Sequence, residues 1–227
     1  SNALAQNVTL DFGAGGQATG RIVQLVALLT VLTLAPSILV MVTSFVRIVI
    51  VLSLLRTAIG TQGTPPNTVI ISLALFMTLF IMQPTLEASY NNGIAPLIAE
   101  QITEQQAVER SVAPVRTFML HHVREKDLDL FLNMARIESP ETAAATPLQA
   151  LIPAFMISEL RRAFEIGFLL FVPFLIIDMV VASVLMSMGM MMLPPVMISL
   201  PFKLIFFVLV DGWYLIAGSL VQSFGSG

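Results

Sequence analysis

Five ionisable side chains, Arg47, Arg56, Asp178, Lys203 and Asp211, lie inside or at the edge of long apolar runs. A charge at the centre of a bilayer costs roughly 2.5–3.5 kcal/mol even on the mildest insertion scale, so such groups must face protein or water. Two kinds of chemistry use them. One is a proton relay through apolar helices; the other is structural ion pairing, within or between subunits. Glu159, Arg161, Arg162 and Glu165 stand three and four residues apart, which permits helix-surface pairs 159–162 and 161–165. His121 and His122 are adjacent, so on a helix they diverge by about 100 degrees and make a poor metal pair. A surface position is expected for both. The chain has no cysteine, which removes disulfides and thiol chemistry. It has no Gly-rich phosphate loop, no Ser/His/Asp grouping and no carboxylate pair in a polar cleft. We therefore expect no catalytic residues, no cofactor, no metal and no enzymatic activity.

Methionine supplies the sharpest local signal. Seven of the thirteen methionines fall in residues 179–197, and Met186, Met188, Met190, Met191, Met192 and Met197 surround Gly189 and the Pro194-Pro195 pair. A regular helix is not expected through 189–195. Thioether side chains are apolar, unbranched and deformable, and they refill gaps of changing shape. Such a loop serves either as flexible core filler or, repeated around a ring, as a seal that closes a pore and yields to a passing chain.

The elements that must carry these residues follow from composition. Of 227 residues, 56% are hydrophobic and only 11% charged, against about a quarter charged in soluble domains. With a mean hydropathy of +0.89, one water-soluble core cannot cover this surface. Lipid or many protein neighbours must. The net charge of −3 argues for no nucleic-acid partner. Apolar stretches lie at about 22–42, 45–59, 69–83, 164–188 and 196–222, each near or above spanning length except the second and third.

Between the third and fourth stretches, about 84–163, lie seven of the eleven Lys and Arg and ten of the fourteen Asp and Glu. Within this middle, Val115, Phe118, Met119 and His122 share one helical stripe, and Leu128, Phe131, Leu132 and Ala135 another. Pro96, Pro114, Pro140 and Pro147 are expected to divide these runs. Pro36, Pro84, Pro173 and Pro201 predict broken helices in the apolar stretches, tolerated where neighbours satisfy the freed backbone groups. The expected fold is all-α, with integral-membrane helical hairpins. Its regions are a flexible glycine-rich lead (1–20), N-terminal apolar helices (21–83), a polar helical middle (84–163) and C-terminal apolar helices with the Met-rich loop (164–227). Ser1-Asn2-Ala3 resembles the scar of a cleaved tag, replacing an upstream segment such as a signal peptide.

Two blocks resemble the FliP/SctR family of type III export-gate subunits. The first runs from Thr43-Ser44-Phe45-Val46-Arg47 through Arg56-Thr57-Ala58-Ile59-Gly60-Thr61-Gln62 to Pro65-Pro66-Asn67. The second runs from Ser158-Glu159-Leu160 through Phe164-Glu165-Ile166-Gly167, Pro173-Phe174 and Ile177-Asp178. It continues through Gly189-Met190-Met191-Met192 and Ser199-Leu200-Pro201-Phe202-Lys203 to Asp211-Gly212-Trp213. Arg124-Glu125-Lys126-Asp127-Leu128 resembles the flagellar branch more than the injectisome branch.

The resemblance implies a core pore-forming subunit of the flagellar protein-export gate. It implies a ring of about five copies, joined by FliQ-like and FliR-like subunits and other gate components, that passes unfolded flagellar substrates across the inner membrane at the basal body. It implies a multi-pass protein whose apolar core is raised toward the periplasm. It assigns the pore gasket to Met186, Met188, Met190, Met191 and Met192. Because the family couples energy through other components, it also favours structural roles in pairing or assembly for Arg47, Asp178, Lys203, Asp211, Glu159 and Arg162. The alternatives are a stand-alone ion-coupled transporter, which would ordinarily show related halves that are absent here, and the homologous virulence injectisome subunit.

Overall fold

The computed structural model describes residues 16–225 except 62, 139, 141 and 191. Most of the expected flexible lead, and Met191, therefore lie outside the described residues. The chain divides into two units, residues 1–39 and 40–227. In the first, helix α1 (Gly16–Met41) begins inside the expected lead. Ile22, Val26, Leu29 and Ile38 on it are exposed. Thr30 satisfies its hydroxyl within the helix, on the Val26 carbonyl at 2.7 Å.

The second unit is built around α2 (Phe45–Ile59). Ile48, Val51, Leu52, Leu55 and Ile59 recur at three- and four-residue steps, and all are buried. They meet Ile70, Ala74 and Met77 of α3 (Asn67–Ser89), then Ala163 and Phe174 of α7 (Leu148–Ser187). Phe207 of α8 (Pro195–Leu209) and Ile216 and Leu220 of α9 (Gly212–Gly225) complete this core. The closest partner of α2 is α7, and Gly167 is what lets them approach. A Cβ at Gly167 would stand 2.3 Å from Leu54 Cδ1. A second cluster sets Leu151 and Phe155 of α7 against Met119 of α5 (Glu104–His122), with Leu128 of α6 (Glu125–Met134) beside them. Among the described residues there is no strand, so the fold is all-α as expected.

Pro140 and Pro147 lie in the break between α6 and α7 as expected, but other prolines do not cut their helices. α3 runs through Pro84, α5 through Pro114, α7 through Pro153 and Pro173, and α8 through Pro201. Each costs a backbone hydrogen bond and some strain, which packing against neighbouring helices offsets. The true interruptions are of other kinds. A π turn, Tyr90–Ile94, joins α3 to α4 (Ala95–Ile98). At its Gly93 an added Cβ would lie 2.6 Å from the Ala107 carbonyl oxygen of α5. Several helices end on left-handed residues, Gly60 (φ 87), Glu100 (φ 55), Arg136 (φ 56), Gly189 (φ 75) and Asp211 (φ 50), whereas α5 and α6 are separated by extended Val123 and Arg124.

Two helices are long and apolar enough to cross a membrane, Asn67–Ile98 and Leu148–Ser187, and the pair α8–α9, bent by 62° at its break, passes the same test only when its two helices are taken together. The protein is an all-α integral-membrane protein. The helix α7 crosses the expected 163/164 boundary without a break, so the polar middle and the C-terminal apolar region share one rod. At about 1.5 Å per residue that rod is about 60 Å long, twice the hydrocarbon thickness of a bilayer.

Candidate functional site: buried ion pairs and a methionine turn

The helix α7 ends on a hydrogen-bonded cap that its sequence dictates. Gly189 adopts the left-handed conformation, its N–H donates to the Met186 carbonyl at 3.1 Å, and the Met190 N–H reaches back to Leu185 at 3.0 Å. Only glycine enters that conformation without a Cβ penalty, so Gly189 sets where the helix stops. Beyond it the described residues stay non-helical until Pro195 opens α8. Met186, Met188, Met190 and Met192 are all exposed, Met192 at 98%. Methionines left in the open at a turn between two apolar helices are not filling this chain's own core.

The charged residues sort themselves into networks that spacing alone could not pair. Arg47 of α2 and Glu159 of α7, 112 residues apart, form a bidentate pair with side chains 1% and 0% exposed. The Arg47 Nε donates to Glu159 Oε2 at 2.7 Å. The other edge of the guanidinium reaches Ser223 of α9, at 3.0 Å to its hydroxyl, and its plane sits 3.7 Å over the Phe224 ring. Each charge is thus neutralised and its donors are used, which is what burial of an ion pair requires.

Farther along α7, Asp178 accepts from Lys203 Nζ of α8 at 2.6 Å and from the Ser199 hydroxyl. Lys203 also reaches the Ala58 carbonyl of α2 at 3.3 Å. This pair is less enclosed, with side chains 5% and 28% exposed for Lys203 and Asp178.

Two expectations need correction, the partner of Glu159 and the surface position of His122. Glu159 pairs with Arg47 and not with Arg162, because at position 159 α7 turns its side chain into the contact with α2; Arg162 stays half-buried. Arg161 and Glu165 do pair, at 2.7 Å on the helix surface. Asp211 is exposed on this chain and forms the left-handed corner between α8 and α9. His122 is buried, with Nδ1 2.8 Å from the Phe118 carbonyl oxygen, whereas His121 is exposed as expected. The apolar stripe that carries Phe118 and Met119 turns His122 inward with them.

A third network was not anticipated. Asp127 accepts from Arg124 Nε at 2.7 Å and from the Ser158 hydroxyl at 2.7 Å, while Ser158 accepts the Arg124 backbone N–H at 3.1 Å. It bolts the first turn of α6 to α7. Burial alone would raise the Asp127 carboxyl, but the Ser158 and Arg124 hydrogen bonds outweigh it and hold it below the ordinary carboxylate value. The legible signal was an acidic residue in the first turn of a helix. Among the described residues no group of three His, Cys, Asp or Glu side chains could hold a metal ion.

Apolar spanning helices, charges neutralised between helices and an exposed methionine turn define a multi-helix membrane subunit that leaves much apolar surface to be covered. Phe164, Phe168, Leu169, Leu175, Ile176 and Met179 of α7 are all exposed. The FliP family profile matches residues 28–220. Similar proteins include the flagellar biosynthetic protein FliP of Caulobacter vibrioides, 64% identical over 99% of this chain and 85% of that protein. That of Bacillus subtilis is 58% identical over 89% of this chain and 91% of its own length. The chain belongs to the FliP family, and is a membrane-associated protein of flagellar biosynthesis.

Proposed function

We propose that this chain is a pore-forming subunit of the flagellar protein-export gate. Copies of it assemble in a ring of about five with FliQ-like and FliR-like subunits, and unfolded substrates pass through the centre across the inner membrane. The observation that carries the proposal is the methionine turn between two apolar helices, on which Met188, Met190 and Met192 are exposed. In a ring these turns converge and form the gasket; Met186, Met188, Met190, Met191 and Met192 supply it. The enclosed charges support assembly over ion carriage. Asp178 is held by Lys203 and Ser199, and Asp211 forms the corner between α8 and α9, so the two do not form a pair of free carboxylates.

The test is replacement of Met190, Met191 and Met192 by alanine in the full complex. Each change removes several heavy atoms from a close-packed seal, and voids of that kind are only partly recovered by relaxation. The expected result is a ring of normal yield and size that leaks ions or small solutes. A ring that forms normally and stays as tight as wild type shows that these methionines do not seal it.

A further inference from the structure

The end of α9 is held at one junction by three other helices. Arg47 of α2 grips Ser223 and lies over Phe224. Phe118 and His122 of α5 close the other side of the Phe224 ring, with centroids at 6.1 and 5.2 Å. Glu159 of α7 fixes Arg47 from behind. Among the described residues the charged groups that face His122 are Arg47 from α2 and Glu159 and Arg162 from α7, and α9 brings Ser223 and Phe224 to the junction. Arg124 and Asp127 of the neighbouring network neutralise each other. Among the described residues Glu159 is the one anion facing the imidazole, and both its oxygens are already taken by Arg47. A proton on His122 therefore adds a second buried cation beside Arg47 with no carboxylate left to receive it.

We propose that this junction is a proton-sensitive clasp on the C-terminal helix: neutral His122 packs on Phe118 and Phe224 and keeps the end of α9 docked, and protonated His122 releases it. Burial holds the imidazole below its ordinary value of 6.5; the Phe118 carbonyl opposes that, Arg47 reinforces it, Glu159 opposes and Arg162 reinforces. The released state has the ordinary value, so between the two values it binds more protons than the docked state. Docking is thus complete above about pH 7 and weakens as pH falls below about 6.5. The same stretch of α9 walls an apolar groove of about 450 Å³ between α7, α8 and α9, through Leu220 and Ser223. Release of the helix end opens that groove.

The absence of cysteine makes the test clean. Gly225→Cys carries a single nitroxide label, and a side chain there meets nothing within 4 Å. The full chain in its detergent-solubilised complex is titrated from about pH 8 to about pH 5, across the ordinary imidazole range. The expected electron paramagnetic resonance spectrum has the lineshape of an exposed site on an ordered helix at the alkaline end and gains a more mobile component on acidification. Its growth is bounded at about tenfold per pH unit in the docking equilibrium. His122→Phe keeps the ring contacts and removes the titration, so its spectrum keeps the docked lineshape throughout. Phe224→Leu gives a mobile label at every pH, which shows that the label reports the clasp. A wild-type spectrum unchanged across the range overturns the proposal, as does a pH response that survives in His122→Phe. If His122→Phe does not assemble, His122→Gln replaces it, with the same two outcomes.

Discussion

Arg47 and Glu159 neutralise each other almost out of reach of solvent, so removing either one strands the other. Arg47→Met should cost about 3–5 kcal/mol, while Arg47→Met with Glu159→Leu should recover much of that. Thermal unfolding of the solubilised protein, run as a double-mutant cycle, measures both. Lys203→Met should cost less, about 1.5–3 kcal/mol, because Asp178 keeps 28% of its side chain in contact with solvent. Asp127 carries a pH signature. Its carboxyl is held below the ordinary value of 3.8 in the folded chain, so it contributes stability above that value that is lost as pH falls through the depressed one. Melting temperatures of wild type and Asp127→Asn should therefore differ at neutral pH and converge in acid. A gap that stays constant as the pH falls well below 3.8 would show that the carboxylate's charge is not what Ser158 and Arg124 hold.

At the level of elements, two positions decide how helices meet. Gly167 sets the distance between α7 and α2, since any Cβ there meets the end of the Leu54 side chain. Gly167→Val should overpack that contact by about 1–3 kcal/mol, and Leu54→Ala in the same chain should relieve it. Asp211 sets the bend between α8 and α9 in a conformation that costs a non-glycine residue roughly 1–2 kcal/mol. Asp211→Gly and Asp211→Asn should both preserve complex yield, because glycine and asparagine enter that conformation readily, whereas Asp211→Val should lower it. Loss of assembly in the asparagine variant would mean that the charge, and not the corner, is what the complex needs.

For the molecule as a whole, the rod α7 is the controlling dimension. Its first part, Leu151, Phe155 and Ser158 included, packs against the polar helices α5 and α6, and its later part turns Leu175, Ile176 and Val180 outward. At about 60 Å it extends well beyond about 30 Å of hydrocarbon. A cysteine at exposed Gln149 should react with a membrane-impermeant maleimide in the assembled complex, and one at Val180 should not. Equal reactivity at the two sites would place both on one side of the apolar layer and remove the division of α7 into wet and covered parts.

The sequence by itself determined whatever depends on neighbours within a turn or two. The step of Ile48, Val51, Leu52 and Leu55 announces a buried helix face, Gly189 followed by Met190 announces the end of α7, and Arg161 with Glu165 announces a surface pair. The sparsity of charge sets the membrane class, and the two motif blocks set the family. Tertiary structure alone decided the pairing of Arg47 with Glu159 and of Asp178 with Lys203, the burial of His122, and the passage of helices straight through Pro114, Pro153, Pro173 and Pro201. The physical reason is range. Periodicity and caps are written into consecutive residues, but which face of one helix meets which face of another depends on crossing geometry, and a proline breaks a helix only where no neighbour holds its two halves in line.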